Sequence, residues 1–92
     1  MDVQHDKGKH KFYIPLEEGG EAILAYSQEG NVLDFAHTYV PPTSRQKGVA
    51  EKVVEAGFRY AQENNFKVIP SCPYVSQAFL RKHKEFLPLI VN

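Results

Sequence analysis

His37-Thr38-Tyr39-Val40-Pro41-Pro42-Thr43-Ser44-Arg45-Gln46-Lys47-Gly48-Val49-Ala50 runs as a strand into a double proline and emerges as a helix. Proline offers no N–H to a sheet ladder and restricts the residue before it, so the strand stops at Pro41-Pro42 and a loop follows. Beyond the loop, Val49, Val53, Gly57, Tyr60 and Ala61 recur at spacings of three and four, which predicts one amphipathic helix over 48–64, stopped by Asn64-Asn65. Upstream, over 32–40, Leu33, Phe35, His37 and Tyr39 alternate with Val32, Asp34, Ala36, Thr38 and Val40, two sets assigned to opposite faces of a sheet. Residues 66–70 are short, apolar and β-branched, the pattern of a buried strand after a crossover helix. The unit 32–70 is therefore expected to be a right-handed parallel crossover.

On the N-terminal side, 11–15 and 21–28 read as further strands, separated by turn signals at Glu18-Gly19-Gly20 and Glu29-Gly30-Asn31. Residues 1–9 are polar and aperiodic and read as a flexible arm, with a single domain over 10–92. On the C-terminal side, Pro73 precedes a second predicted helix over 74–83, with Val75, Ala78, Phe79 and Lys82 on one side. The apolar tail 86–91 is either an added edge strand or a cover for the core. The order β-β-β-α-β-α, with a possible short last strand, predicts a small α/β or α+β domain with a mixed, mostly antiparallel sheet and two helices.

Ninety-two residues suffice for one core. Eleven Lys and Arg balance eleven Asp and Glu, so there is no long-range field to steer the chain to nucleic acid or an acidic membrane. Any anion site must be local. The basic clusters, Lys7, Lys9, His10 and Lys11 and then Arg81, Lys82, His83 and Lys84, read as solvated surface. At the end of its helix, His83 reads as a dipole contact. Cys72 has no second cysteine to pair with, and a reduced, cytoplasmic setting is expected. No apolar run follows the N-terminal charges, so neither a signal peptide nor a membrane helix is expected there. His5 and His10 show no metal-ligand spacing, and no metal is expected.

The loop before the long helix suits a diphosphate. The first turn of a helix leaves backbone N–H groups unpaired, and its dipole favours an anion. Gly48 removes the side chain that would block close approach, and Ala50 keeps the next turn small. Arg45, Gly48 and Ala50 match the three fixed positions of the GNAT acyltransferase signature, Gln/Arg-x-x-Gly-x-Gly/Ala, between a strand and an amphipathic helix. With His37-Thr38-Tyr39-Val40-Pro41 before it and Pro70-Ser71-Cys72-Pro73-Tyr74 after the next strand, the chain resembles a short, stand-alone GNAT-like family over residues 12–86. That resemblance implies a minimal fold without the first strand and first helices of full GNAT enzymes, and acetyl-CoA or coenzyme A as cofactor. It places Arg45, Gln46, Lys47, Gly48, Val49 and Ala50 at the pyrophosphate. Arg45 also reads as a plain surface cation.

By the same resemblance, the strand 66–70 diverges from its neighbour to admit the pantetheine arm, and Cys72 lies near the acetyl group. Cys72 sits just before a predicted helix, where a positive helix end favours thiolate. It is a nucleophile, a partner for a mixed disulfide with coenzyme A, or a small buried hydrophobe. The resemblance gives Tyr74 the protonation of the leaving CoA thiolate, against a ring that only packs. His37 is the candidate base, against an ordinary hydrogen-bonded sheet histidine. The expected function is transfer of an acetyl group from acetyl-CoA to an unidentified amine. The alternative is a non-catalytic CoA or acyl-CoA sensing module with a reactive cysteine. A third reading, an interaction domain using the 86–91 tail, predicts no CoA affinity. A truncated sheet edge allows a monomer or a weak dimer.

Overall fold

The computed structural model describes residues 2–45 and 48–91. Among these residues five strands form one sheet in the order β1-β2-β3-β4-β5: β1 Gln4–Asp6, β2 Lys11–Pro15, β3 Glu21–Glu29, β4 Val32–Tyr39 and β5 Lys67–Ile69. The first four pair antiparallel, and β5 joins β4 in parallel after helix α1, Val49–Glu63. The mixed, mostly antiparallel sheet and its parallel crossover are as the sequence predicts.

The reading of 1–9 as a loose arm needs correcting. Gln4, His5 and Asp6 pair with Tyr13, Phe12 and Lys11. The His5 ring stacks on Phe12 with centroids 4.0 Å apart, meets Tyr60 edge-on at 4.6 Å, and shares a 2.6 Å hydrogen bond with the Tyr26 hydroxyl. Polar composition concealed this strand because its anchor is a histidine whose value lies in ring contacts. Burial, with the nearby Lys7 charge, holds the imidazole below its ordinary pKa.

Phe12, Ile14, Ala22, Leu24, Tyr26, Leu33 and Phe35 alternate onto the face covered by α1. The buried stripe of α1 is Val49, Val53, Val54, Gly57, Phe58 and Ala61, wider than predicted because Phe58 also meets Phe79 and Phe86 beyond the sheet. Tyr60 is only half-buried. The helix stops as expected: Asn64 caps it through its side-chain amide to the Tyr60 carbonyl at 2.8 Å, and Asn65 takes a φ of 59°.

Gly57 sets how closely α1 approaches the sheet. A Cβ built there would lie 2.7 Å from Leu24 Cδ2 and 3.0 Å from Phe35 Cζ. Gly57→Val should therefore destabilise the domain by about 3 kcal/mol, since overpacking outweighs any gain in helix propensity. Urea unfolding followed by circular dichroism would measure it, and an unchanged midpoint would refute the close packing.

The second predicted helix forms as a π-helical turn, Tyr74–Phe79, continued by a short α2, Leu80–Lys82. Its buried residues are Val75, Phe79 and Leu80, whereas Ala78 and Lys82 are exposed. A π turn advances more residues per revolution than the α spacing assumed, so the predicted side rotates away. Residues Lys84–Leu89 make a 3₁₀ segment that buries Phe86, and Ile90 then forms a single parallel bridge to Val68. The tail covers the core, and among its described residues Leu87 is the large hydrophobe left exposed.

Candidate functional site

Strand β5 follows β4 only over three pairs, ending at Asp34 opposite Ile69. Pro70 then turns the chain away, while β4 continues to Tyr39. One backbone bond crosses the opening: the Cys72 N–H donates to the Phe35 carbonyl at 2.9 Å. The divergence that the resemblance implied is thus present, with Cys72 at its inner end.

Cys72 is 6% exposed, and its sulfur lies 3.4 Å from Thr38 Oγ1 in a hydrogen bond. Burial pushes the thiol pKa up, but the Thr38 hydroxyl and backbone groups of Val75, Tyr74 and Thr38 outweigh it and leave the thiol below its ordinary value. Thr38 was not singled out from the sequence, where it is one polar residue in an alternating strand. Tyr74 is half-buried, and burial followed by the charges of Glu51 and Cys72 raises its phenol. It therefore keeps its proton beside both groups.

His37 is not part of this group. In the β3–β4 ladder Tyr26 faces Phe35 and Ala25 faces His37, which leaves Ala36 as an extra residue on β4. Such a bulge reverses the alternation beyond it. Thr38, opposite the buried Leu24, now points to the core side, and His37 is exposed on the other face with Tyr39. The expectation that His37 shares the face of Phe35 is overturned, and the structure does not bring it to Cys72.

The predicted anion loop begins with a 3₁₀ turn, Pro42–Ser44, pinned by the buried Ser44 hydroxyl donating to Glu18 at 2.9 Å. Arg45 is exposed, with its Nε donating to the Val40 carbonyl at 3.0 Å. Gln46 and Lys47 lie outside the described residues. Gly48 is the N-cap of α1 with φ 71° and provides no side-chain cap. The N–H groups of the first turn are thus left without that acceptor, as an anion site requires. Val49 is fully buried, so its side chain serves the core and only its backbone faces the loop; Ala50 is half-buried.

His83, which the sequence suggested was a surface dipole contact, is mostly buried and paired. Its Nε2 lies 2.5 Å from Glu51 in the first turn of α1, and its Nδ1 lies 3.6 Å from Glu85. The Glu51 contact raises the imidazole pKa despite partial burial, with Glu85 adding to it, and His83 in turn lowers the Glu51 carboxyl. The pair stabilises the fold fully between the ordinary carboxylate and histidine values. That contribution fades as pH falls through the depressed Glu51 value or rises through the elevated His83 value.

A strand pair that splays beside a reduced cysteine, next to a helix that starts on an uncapped glycine, defines an acetyltransferase-type domain of minimal size. Residues 11–89 match the family described as GCN5-related N-acetyl-transferase, and the chain belongs to that family. It is similar to the protein NATD1 of Gallus gallus, 28% identical over 79 residues covering 84% of this chain and 72% of that protein. The Homo sapiens NATD1 is 29% identical over 77 residues, covering 82% and 68%. The solution structure of a GCN5-like protein from Staphylococcus aureus superposes with a TM-score of 0.74 at 26% identity, covering 99% of this chain and 88% of that one. Among the described residues no helix is long and apolar enough to cross a membrane.

Proposed function

We propose that this chain binds acetyl-CoA and transfers its acetyl group to an amine. The observation that carries the reading is the pairing of the uncapped start of α1 with the opening between β4 and β5, which ends at Cys72. The diphosphate would sit on backbone N–H groups from Gly48 onward, with Arg45 able to add charge, and the pantetheine arm would run along the unpaired edge of β4. The family generally uses acetyl-CoA, which fits this donor set.

In the transfer, the amine nitrogen attacks the thioester carbonyl, a C–N bond forms and the C–S bond breaks. The departing CoA thiolate takes the Tyr74 proton, the ammonium gives its proton to solvent, and solvent returns one to the phenolate. A second reading is favoured by the removal of His37 from the site: a CoA or acyl-CoA module without an amine acceptor. There the Cys72 thiolate attacks the thioester, giving an acetyl-cysteine and free CoA, or attacks the S–S bond of CoA disulfide, giving a mixed disulfide and releasing one CoA thiolate.

Titration of the reduced protein with coenzyme A and with acetyl-CoA, followed by backbone amide shifts, tests both. Shifts centred on Gly48–Glu51 are expected in the wild type and in Cys72→Ala. Acetyl on Cys72, detected by mass spectrometry, with no product in an amine screen, would favour the second reading. Silent amides at millimolar ligand would end the cofactor assignment.

A further inference from the structure

The Glu51–His83–Glu85 group joins three parts of the fold that the sequence keeps apart. Glu51 is the third residue of α1, His83 follows α2, and Glu85 lies in the C-terminal 3₁₀ segment. The imidazole lies flat on Phe79, centroids 4.3 Å apart and 13° between planes, so its orientation is held by packing as well as by its partners. Its side chain is 18% exposed. A carboxylate faces each ring nitrogen, hydrogen-bonded at Nε2 and within ion-pair reach at Nδ1, and only the imidazolium carries an N–H at both.

Other charges around it do not replace this proton. Lys82 of α2 acts on Glu51 less than His83 does, Tyr74 on the π-helical turn stays neutral beside Glu51, and Arg59 of α1 lies over the Phe86 ring at 5.5 Å. Glu51 occupies the turn whose N–H groups would receive the diphosphate. A bare carboxylate there opposes a second anion, and an imidazolium on it removes that opposition.

We propose that His83, held as an imidazolium between Glu51 and Glu85, is a positioning residue that neutralises the first turn of α1 and enables it to take the diphosphate of coenzyme A. This rests on the cofactor reading above. Binding is then proton-linked: the complex favours the charged imidazole, and by reciprocity the ligand raises its titration midpoint.

The test follows the His83 ring proton by NMR from pH 6 to 9, without ligand and with coenzyme A, and measures affinity for wild type, His83→Gln and the Glu51→Gln/His83→Gln double variant. Dephospho-coenzyme A repeats the series without the phosphate monoester that titrates near about pH 6. The ligand is expected to raise the midpoint by about one unit, with affinity falling about tenfold as pH climbs through it. His83→Gln should bind about tenfold more weakly at neutral pH with a flat profile, and the double variant should regain most of the loss. If coenzyme A binds the wild type but the midpoint stays put, the proposal fails and the cofactor reading survives. Absence of binding at every pH removes both.

Discussion

Phe58→Ala is expected to remove about 3–5 kcal/mol of stability, the usual range for deleting a buried phenyl ring. Phe58 is fully buried and joins three layers: it meets Phe35 of β4 edge-on at 5.0 Å, stacks on Phe79 at 5.4 Å, and stacks on Phe86 at 5.0 Å. Alanine would leave a cavity bounded by the sheet and both C-terminal segments, where no single element can collapse to fill it. A domain of this size has roughly 5–14 kcal/mol in total, and each kcal/mol is worth about 4–8 °C. Thermal unfolding by circular dichroism should therefore show the midpoint falling by about 12–40 °C. A drop of only a few degrees would mean that Phe58 does not bind the C-terminal segments to the sheet.

Gly48→Val is expected to weaken coenzyme A binding by about tenfold or more while leaving the fold in place. At φ 71° a β-branched residue is strained, which costs about 1–2 kcal/mol. Among the described residues a Cβ there meets no heavy atom within 4 Å, so their packing adds nothing to that cost. In the cofactor reading, a side chain at this position would intrude on the diphosphate above the helix start. Amide titration of the folded variant, with its melting temperature measured alongside, separates the two effects. Undiminished affinity in a folded Gly48→Val protein would move the cofactor away from this helix start.

Much of the architecture is written in local patterns. Alternation marks β2, β3 and the first half of β4, the double proline marks the strand end, and the three-four spacing after Gly48 marks α1 with its stop at Asn64-Asn65. The candidate anion loop is legible for the same reason, since a helix start without a side-chain cap depends on a few consecutive residues. Chain-local signals also place Cys72 between β5 and the next helical turn.

Tertiary structure decided the rest. The bulge at Ala36 arises from how β4 registers against β3, so nothing within β4 reveals that His37 turns outward and Thr38 turns in toward Cys72. Thr38 and Cys72 are 34 positions apart, and Glu51 and His83 are 32 apart. Such partnerships carry no periodicity along the chain. His5 likewise lies in a polar stretch of sequence, and only in the fold do Phe12, Tyr26 and Tyr60 surround it. The sequence determined the elements, the helix start that suits an anion and the position of the thiol, because those follow from neighbouring residues. Which groups set the charge and reactivity at that thiol and that helix start was decided only when distant segments packed together, because burial and Coulomb interactions depend on distance through space.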